Sequence, residues 1–536
     1  MESSEGGYIV RDRSAAFLKR ISWHPSIQEI MLAVYVIGIL MAQVILGNTS
    51  KRDLLSPLYL IVFASLVICP IVLKWAKGLT IGTDQSRTKM ETALYFLVPL
   101  AVLLVYYAAS YPGYFPSDSV DQYQQAVNGT YNDWHPAMQT ILTFTLPLTL
   151  TGGWVGSIIL FQIVLFTCAV GYALVTIRLY TNRRFAVLAM LYIVLNPQTG
   201  AFVMHPWKDM TFAIGALLLV SFAIRIFMTK GEWLRSVGSM ALFSLILALT
   251  TLVRHNAVLF TAPLMIAILV YARRRQAVIV CIASLILFSI VKFPVYSLLD
   301  VEAPGKRKVE LLGLPMTVIG AVVQNTPERL DPETREFAYA VAPPEVWEEK
   351  YVYGSYNQVK WDKRTNNHVI EEYGVVNVLR MMAKSVKASP GNALRGLIAL
   401  TDPVYSITNI QDPVNIPGTG RRLPGTEEDG IPALKTVLRR CAKLCVYLPH
   451  LLGCLGALHL ALLVLVLAKC GRGALSPWVT VLFILPVFCY NFGTALLLTG
   501  FADAARFFYY TFLLFPSLLV FLLRGGTAEN KDEIGS

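Results

Sequence analysis

Long apolar runs separated by short polar turns dominate the chain, with neither the strict alternation of a half-buried strand nor the narrow stripe of a surface helix. Backbone groups in lipid must bond within their own segment, so a run of about 20 apolar residues predicts a membrane-crossing helix. Twelve stretches qualify: Glu29 to Leu46, Pro57 to Leu73, Ala93 to Ser110, Trp154 to Ile177, Phe185 to Asn196, Met210 to Met228, Val237 to Val253, Ala257 to Ala272, Ala277 to Tyr296, Leu444 to Ala468, Trp478 to Thr499 and Phe507 to Leu523. The run from Phe185 is the shortest. A further apolar stretch, Ala137 to Leu150, opens at His135-Pro136, ends at Thr151-Gly152-Gly153 and reads as a helix lying along the membrane interface. The pattern predicts an all-α polytopic membrane protein of about twelve transmembrane helices, with outward interfacial helices and a small mixed external domain.

Composition agrees, because 55% hydrophobic against 15% charged residues excludes an ordinary cytosolic enzyme. The charges cluster: residues 301–440 hold 18 Lys and Arg and 17 Asp and Glu, the density of a soluble domain. The other 396 residues carry 28 basic and 17 acidic groups, so most of the +12 net charge lies there. Of those 28, 21 fall in seven clusters, from Arg11 to Arg20, Lys74 to Lys89, Arg178 to Arg184, Arg225 to Arg235, Arg273 to Arg275, Lys469 with Arg472, and Arg524 with Lys531. Lys and Arg accumulate on the cytoplasmic side of short loops, and the clusters share one side if Ala137 to Leu150 does not cross. A plasma-membrane chain then has both termini cytoplasmic, and its basic excess records topology; no nucleic-acid partner is implied. The predicted organisation is a tail over 1–27, a transmembrane core over 28–297 with a first outward loop at 111–153, an external soluble domain over 298–441, C-terminal spans over 442–524, and a tail over 525–536. No cleavable signal pattern opens the chain. Cys441 and Cys445, four apart on a predicted helix, are poorly placed for a disulfide, and no zinc spacing occurs.

The predicted outward turns concentrate the residues able to do chemistry. Ser117 can cap a short helix on which Asp118, Asp121, Gln122 and Gln125 share a face. Two carboxylates and two amides there suit a general base with a metal or sugar-hydroxyl ligand; the alternative is that Asp118 serves the helix dipole. His135, in Asn132-Asp133-Trp134-His135-Pro136, is suited to donate to a phosphate, or else to anchor the chain at the interface with Trp134. Lys208-Asp209 opens the span from Met210, where a helix N-terminus with a lysine attracts phosphate and Asp209 can cap or ligate a cation. The alternative is a simple cap with Lys208 snorkelling. Arg254 and His255 occupy a tight turn, and Arg506 follows Asp503 at the start of the last span. Outward arginine runs against the topology rule, so each needs a reason: gripping a lipid phosphate, or pairing with Asp209 or Asp503 to close the bundle. In the external island, Pro343-Pro344, Trp347, Tyr351, Tyr353, Tyr356 and Trp361 suit a domain core or sugar stacking, the core being preferred. Leu311 to Gln324 reads as an amphipathic helix against the membrane.

In this order and on this side, the features resemble the GT-C superfamily of membrane glycosyltransferases, most closely bacterial members of unassigned substrate. Ser117-Asp118-Ser119-Val120-Asp121 looks like the acidic motif of their first outward loop, Trp134-His135-Pro136 like the following His-Pro, and Lys208-Asp209 like the acidic start of a later span. Arg254 and Arg506 look like their phosphate-side basic positions. The likeness covers the chain from Ala93 onward and is one of order and topology, with two additional spans before it. The resemblance implies a polyprenyl-phosphate-linked sugar donor held in membrane lipid, a glycan, lipid or protein acceptor, and Asp118 as base. It implies Asp121 and Asp209 as catalytic carboxylates, binding sugar hydroxyls or a divalent cation such as Mg or Mn. Gln122, His135, Lys208, Arg254, His255 and Arg506 would hold substrate or lipid phosphate. The competing reading is a transporter or lipid flippase, which binds with carboxylates or broken helices inside its spans. No Asp or Glu lies in the apolar middle of a predicted span, and His459, Gln162, Asn196 and Asn491 are explained by helix-to-helix hydrogen bonds.

Overall fold

The computed structural model describes residues 26–47, 51–84, 86–272, 274–303, 312–407, 423, 430–445, 454–469, 477–497 and 504–524. Most of both predicted tails, Asp503, and the segment within the predicted Leu444 span that precedes Cys454 lie outside them. The chain forms two compact units, one ending at Gly78 and one from Leu79. The first pairs α1 (Ile27–Gly47) with α2 (Lys51–Gly78).

The second unit runs through α3 (Lys89–Ser110), α4 (Ser117–Asn128), α5 (Ala137–Leu150), α6 (Gly156–Tyr180), α7 (Arg183–Leu195), α8 (Pro197–Val203), α9 (Lys208–Met228), α10 (Val237–Leu252), α11 (Val258–Tyr271) and α12 (Arg274–Ile290). It continues with α13 (Gly313–Asn325), α14 (Pro332–Val341), α15 (Pro344–Lys350), α16 (His368–Ala388), α17 (Pro390–Tyr405), α18 (Pro432–Cys445), α19 (Leu455–Lys469), α20 (Pro477–Leu497) and α21 (Ala504–Arg524). Among the described residues, seven helices are long and apolar enough to cross a membrane: α1, the part of α2 from Leu60, α3, α6, α9, α12 with its extension to Leu298, and α21. The chain is therefore a multi-pass membrane protein. The predicted span at Phe185 is instead a pair, α7 and α8, bent by 57°. Asn196 causes the bend by ending one helix and capping the next through Gln198 N, with Pro197 at the first position. Asn196 thus works within its own chain turn, not between helices. Gln162 bonds Val203 O and His205 O at 2.8 Å each, while His459 donates to Val404 O and accepts from Asn491, so these three do join separate elements.

α9 is the most enclosed of the seven, packed against α6, α10 and α21. Gly215 permits the approach of α10, since a side chain there would meet Thr250 Oγ1 at 2.2 Å. α5 contains a π-helical middle, Ile141–Thr145, and packs against α4.

The island is helical, with no strand among the described residues, which corrects the expectation of a mixed domain. Its core runs from Leu312 to Ala393. α13 is not an amphipathic surface helix: Pro315 to Val323 are buried, and α16 and α17 pack on it. Trp347, Tyr351 and Tyr356 are core residues, Trp347 donating to Ala338 O and Ala342 O at 3.0 Å, whereas Trp361 is 72% exposed. α17 also packs on α19 and α20.

At the end of α6, Arg178 is almost fully buried and spends its fork on Glu91 at 2.8 Å, Thr181 O at 3.2 Å, Asp84 O and Ser86 O, clamping the segment before α3. Glu91 also accepts from Tyr95 at 2.7 Å. Removing one partner of such a buried pair strands the other, so Arg178→Met is expected to destabilise the protein by roughly 3–5 kcal/mol. Arg178→Lys should restore only part of this, because an ammonium cannot reproduce the fork. Melting in detergent checks both, and a lysine variant as stable as the native protein would refute the geometric account.

Candidate functional site

The starts of α4, α9 and α21 and the turn between α10 and α11 come together through charged side chains. Asp209, in the first turn of α9, is 4% exposed at its side chain and lies between two guanidiniums, pairing with Arg254 and, at 3.8 Å, with Arg506 Nε. Arg506 also reaches Asp118 Oδ2 at 3.6 Å. Asp118, Arg506, Asp209 and Arg254 thus form one chain of alternating charge. Of the two reasons advanced for Arg254, the pairing with Asp209 is the one observed.

Aromatic faces support the guanidiniums. Arg254 lies over Phe507 at 5.0 Å and Tyr490 at 5.8 Å, and Arg506 over Phe507 at 4.9 Å and Trp207 at 5.3 Å. Arg254 Nε donates to Asn256 Oδ1 at 2.5 Å, and Asn256 donates to Thr494, which ties the turn to α20. Trp207 stacks on His205 at 4.2 Å and His205 on Tyr114 at 5.1 Å, while Tyr114 N donates to Met204 O. That column fixes the loop carrying Asp118 over the start of α9.

Ser117 is not the cap of α4. Pro116 occupies the cap position with no side-chain bond, and Asp118 stands in the first helical turn. The amides face inward and the carboxylates lie at the edge. Gln122 Nε2 donates to Thr140 at 3.1 Å and Gln125 Nε2 to Asp121 at 2.9 Å, leaving Asp118 and Asp121 35% and 49% exposed at their side chains. Gln122 therefore fastens α4 to α5 and has no amide hydrogen bond to the charged chain.

His135 is buried, not an interfacial anchor, and its Nδ1 lies 3.2 Å from Lys208 Nζ. An ammonium only donates, so Nδ1 accepts and the ring proton sits on Nε2, facing Asp121 Oδ2 at 4.0 Å. Lys208 thus reaches back to the first loop instead of snorkelling. Burial and the neighbouring Lys208 push His135 down to about 3, and burial pushes His205 down to about 4. For Asp118, burial opposes the charge, but the cationic Arg506 and Lys208 outweigh it and hold the carboxyl below its usual range. His255 lies beside this group, donating from Nε2 to Asp133 O at 2.9 Å.

Two contributors escaped the sequence reading. Asp133 accepts from Ala137 N and pairs with Lys292, which lies near the end of the α12 run and over Tyr296 at 4.9 Å. A lysine inside an apolar run was the available signal. The carboxylates do not assemble a cation site. Asp209 faces guanidiniums and Asp121 faces an amide and an imidazole, and no group of three or more His, Cys, Asp or Glu gathers among the described residues. What the arrangement offers is an acid–base carboxylate beside an anion-binding helix start, since α9 has no side-chain cap and carries Lys208 at its first position.

Asp209→Ala leaves two buried guanidiniums facing each other and is expected to cost roughly 3–5 kcal/mol. Adding Arg254→Met should then cost less than it does alone; strictly additive melting losses would show no coupling. As pH falls from about 6.5, the unfolded chain binds protons at His135 and His205 that the native state takes up only near 3 and 4. Native stability therefore falls with pH through that window, by about 1.4 kcal/mol per unit for each ring. Unfolding at pH 7, 6 and 5 should show His135→Gln lowering the slope by the share of one ring, about 1.4 kcal/mol per pH unit, and an unchanged slope would refute the assignment.

No protein-family model, no curated protein and no solved structure matches this chain.

Proposed function

We propose that the chain is an integral membrane glycosyltransferase. It moves a sugar from a polyprenyl-phosphate donor to an envelope glycan, lipid or protein acceptor at the outer face of the plasma membrane. The observation that carries this reading is the alternating chain Asp118, Arg506, Asp209, Arg254 at the uncapped start of α9. Arg506 meets its two carboxylates at 3.6 and 3.8 Å, well beyond the 2.7–2.9 Å of a closed charge-assisted bond. A guanidinium that bridges two carboxylates beside the uncapped start of α9 makes that helix start cationic, and a donor phosphate is the anion proposed for it.

In the proposed topology the seven long helices, the bent pair taken as one crossing, and α10, α11, α19 and α20 make twelve crossings. The site then sits at the end remote from Arg178, Arg183, Arg225 and Lys469, which the positive-inside rule places in the cytoplasm together with both termini. The island stands outside, above the site.

An acceptor hydroxyl gives its proton to an Asp118 oxygen as its own oxygen bonds the anomeric carbon. The bond from that carbon to the phosphate oxygen breaks in the same step, its electron pair leaving with the phosphate, and the configuration inverts. The low affinity of Asp118 for protons is tolerable because the oxocarbenium-like transition state acidifies the attacking hydroxyl, as in inverting hydrolysis. Arg506 and Lys208, with the first N–H groups of α9, stabilise the charge collecting on phosphate. Arg254 holds Asp209 and so sets the position of Arg506. Asp121 orients His135 from the solvent edge.

A second reading, a transporter or flippase of a lipid-linked precursor, draws on the broken pair α7 and α8, because broken helices line transport sites. Purified protein given a panel of polyprenyl-phosphate sugars and envelope acceptors separates the two. Transfer is expected, and Asp118→Asn is expected to lower it 10²- to 10⁴-fold, the usual contribution of a general base. Undiminished transfer by that variant removes Asp118 from the chemistry, and vesicle translocation without transfer by the native protein favours the transporter.

A further inference from the structure

We infer that the second part of α16 docks the island on an anionic lipid surface, the headgroup layer of the outer leaflet; the inference rests on the proposed topology and not on the transferase reading.

α16 breaks at Gly374, whose φ of 74° favours glycine, and a new helical run starts at Val375. That run has three sides. Val378, Met381 and Ser385 are buried, the first two in the island core. Val375, Leu379, Ala383 and Val386 recur at intervals of four, four and three and so share a second side, with Val376 at its edge. All five are exposed, Val376 at 79%. Single exposed apolar residues are ordinary, whereas a contiguous stripe marks a surface that something covers. Between Gly313 and Tyr405 seven large apolar side chains are exposed, and five of them fall between Val375 and Leu394.

What covers the stripe follows from its border and its neighbours. Every charged residue from Val375 to Ala388 is basic: Arg380, Lys384 and Lys387. Lys384 turns away to Asp331, at 3.1 Å, and to Glu333, which Arg380 also reaches at 3.7 Å. Arg380 and the exposed Lys387 each stand four residues beyond Val376 and Ala383, so they border the stripe, where long side chains can extend to headgroup phosphates. An apolar side bordered by basic residues alone is the arrangement of a helix lying in the interface of an anionic leaflet. A second copy docked stripe to stripe would set these like charges against each other. The position agrees. α16 packs on α13 and α17, and both of these pack on α20. α17, which exposes Leu394 near its start, ends beside α19, where His459 donates to Val404 O at 2.9 Å. One layer of helices therefore separates the stripe from the bundle.

The test replaces Val376, or Asn377 on the far side of the same run, with the photocrosslinker p-benzoylphenylalanine. The full-length protein is irradiated in nanodiscs of phosphatidylglycerol and phosphatidylcholine, and lipid adducts are read by mass spectrometry. Both positions are exposed, so both variants should melt with the native protein. Adducts at position 376 are expected to exceed those at position 377 roughly fivefold. Phosphatidylglycerol is expected among them at about twice its share of the disc, and Lys387→Gln should lower that enrichment. Equal adduct yields at the two positions overturn the inference. So does a crosslink from position 376 to a second copy of the chain, and so do adducts that mirror the lipid mixture. Each of these results leaves the transferase reading standing, and a failed sugar-transfer assay leaves this inference standing.

Discussion

A carboxylate buried among apolar helices must be neutralised where it stands, and Asp209 is neutralised twice. Arg254 comes from the turn joining α10 to α11 and Arg506 from the start of α21, so one side chain on α9 fixes the relative height of three elements. Each guanidinium is in turn laid over aromatic rings, which lets it stay charged where water is scarce. Because α9 is also the most enclosed long helix, its first turn is a rigid base from which the more exposed Asp118 and Asp121 can be held.

The two ends of the bundle handle buried arginine differently. Arg178 is closed on five acceptor oxygens, one for each of its N–H groups. Arg506 spans two carboxylates, Asp118 at 3.6 Å and Asp209 at 3.8 Å. Identical side chains thus tie down one chain segment in one place and join carboxylates from two helices in the other.

Much of this was legible in the chain because apolar runs and basic clusters are local properties. The long helices follow directly from them, and the positions of Asp118, Lys208, Asp209, Arg254 and Arg506 in turns between runs marked them for attention. What remained hidden depends on contacts made across the fold. Whether Arg254 grips a phosphate or Asp209 is decided by helix packing, and both were open from the residues alone. α13 looked amphipathic, yet it is buried all round: the Tyr351 ring covers Gly320, where a side chain would meet it at 2.4 Å. The Phe185 run looked short because Asn196-Pro197 ends its first helix, and the second helix that it caps is joined to the first at a bend of 57°.

Trp207 lies between the His205 ring at 4.2 Å and the Arg506 guanidinium at 5.3 Å. Indole emission responds to the field of a nearby cation, so this tryptophan is a built-in optical probe of Arg506. Anything that draws the guanidinium away alters the signal of one chromophore among nine tryptophans, and occupancy can be followed in unlabelled protein as an intensity change that vanishes in Trp207→Phe.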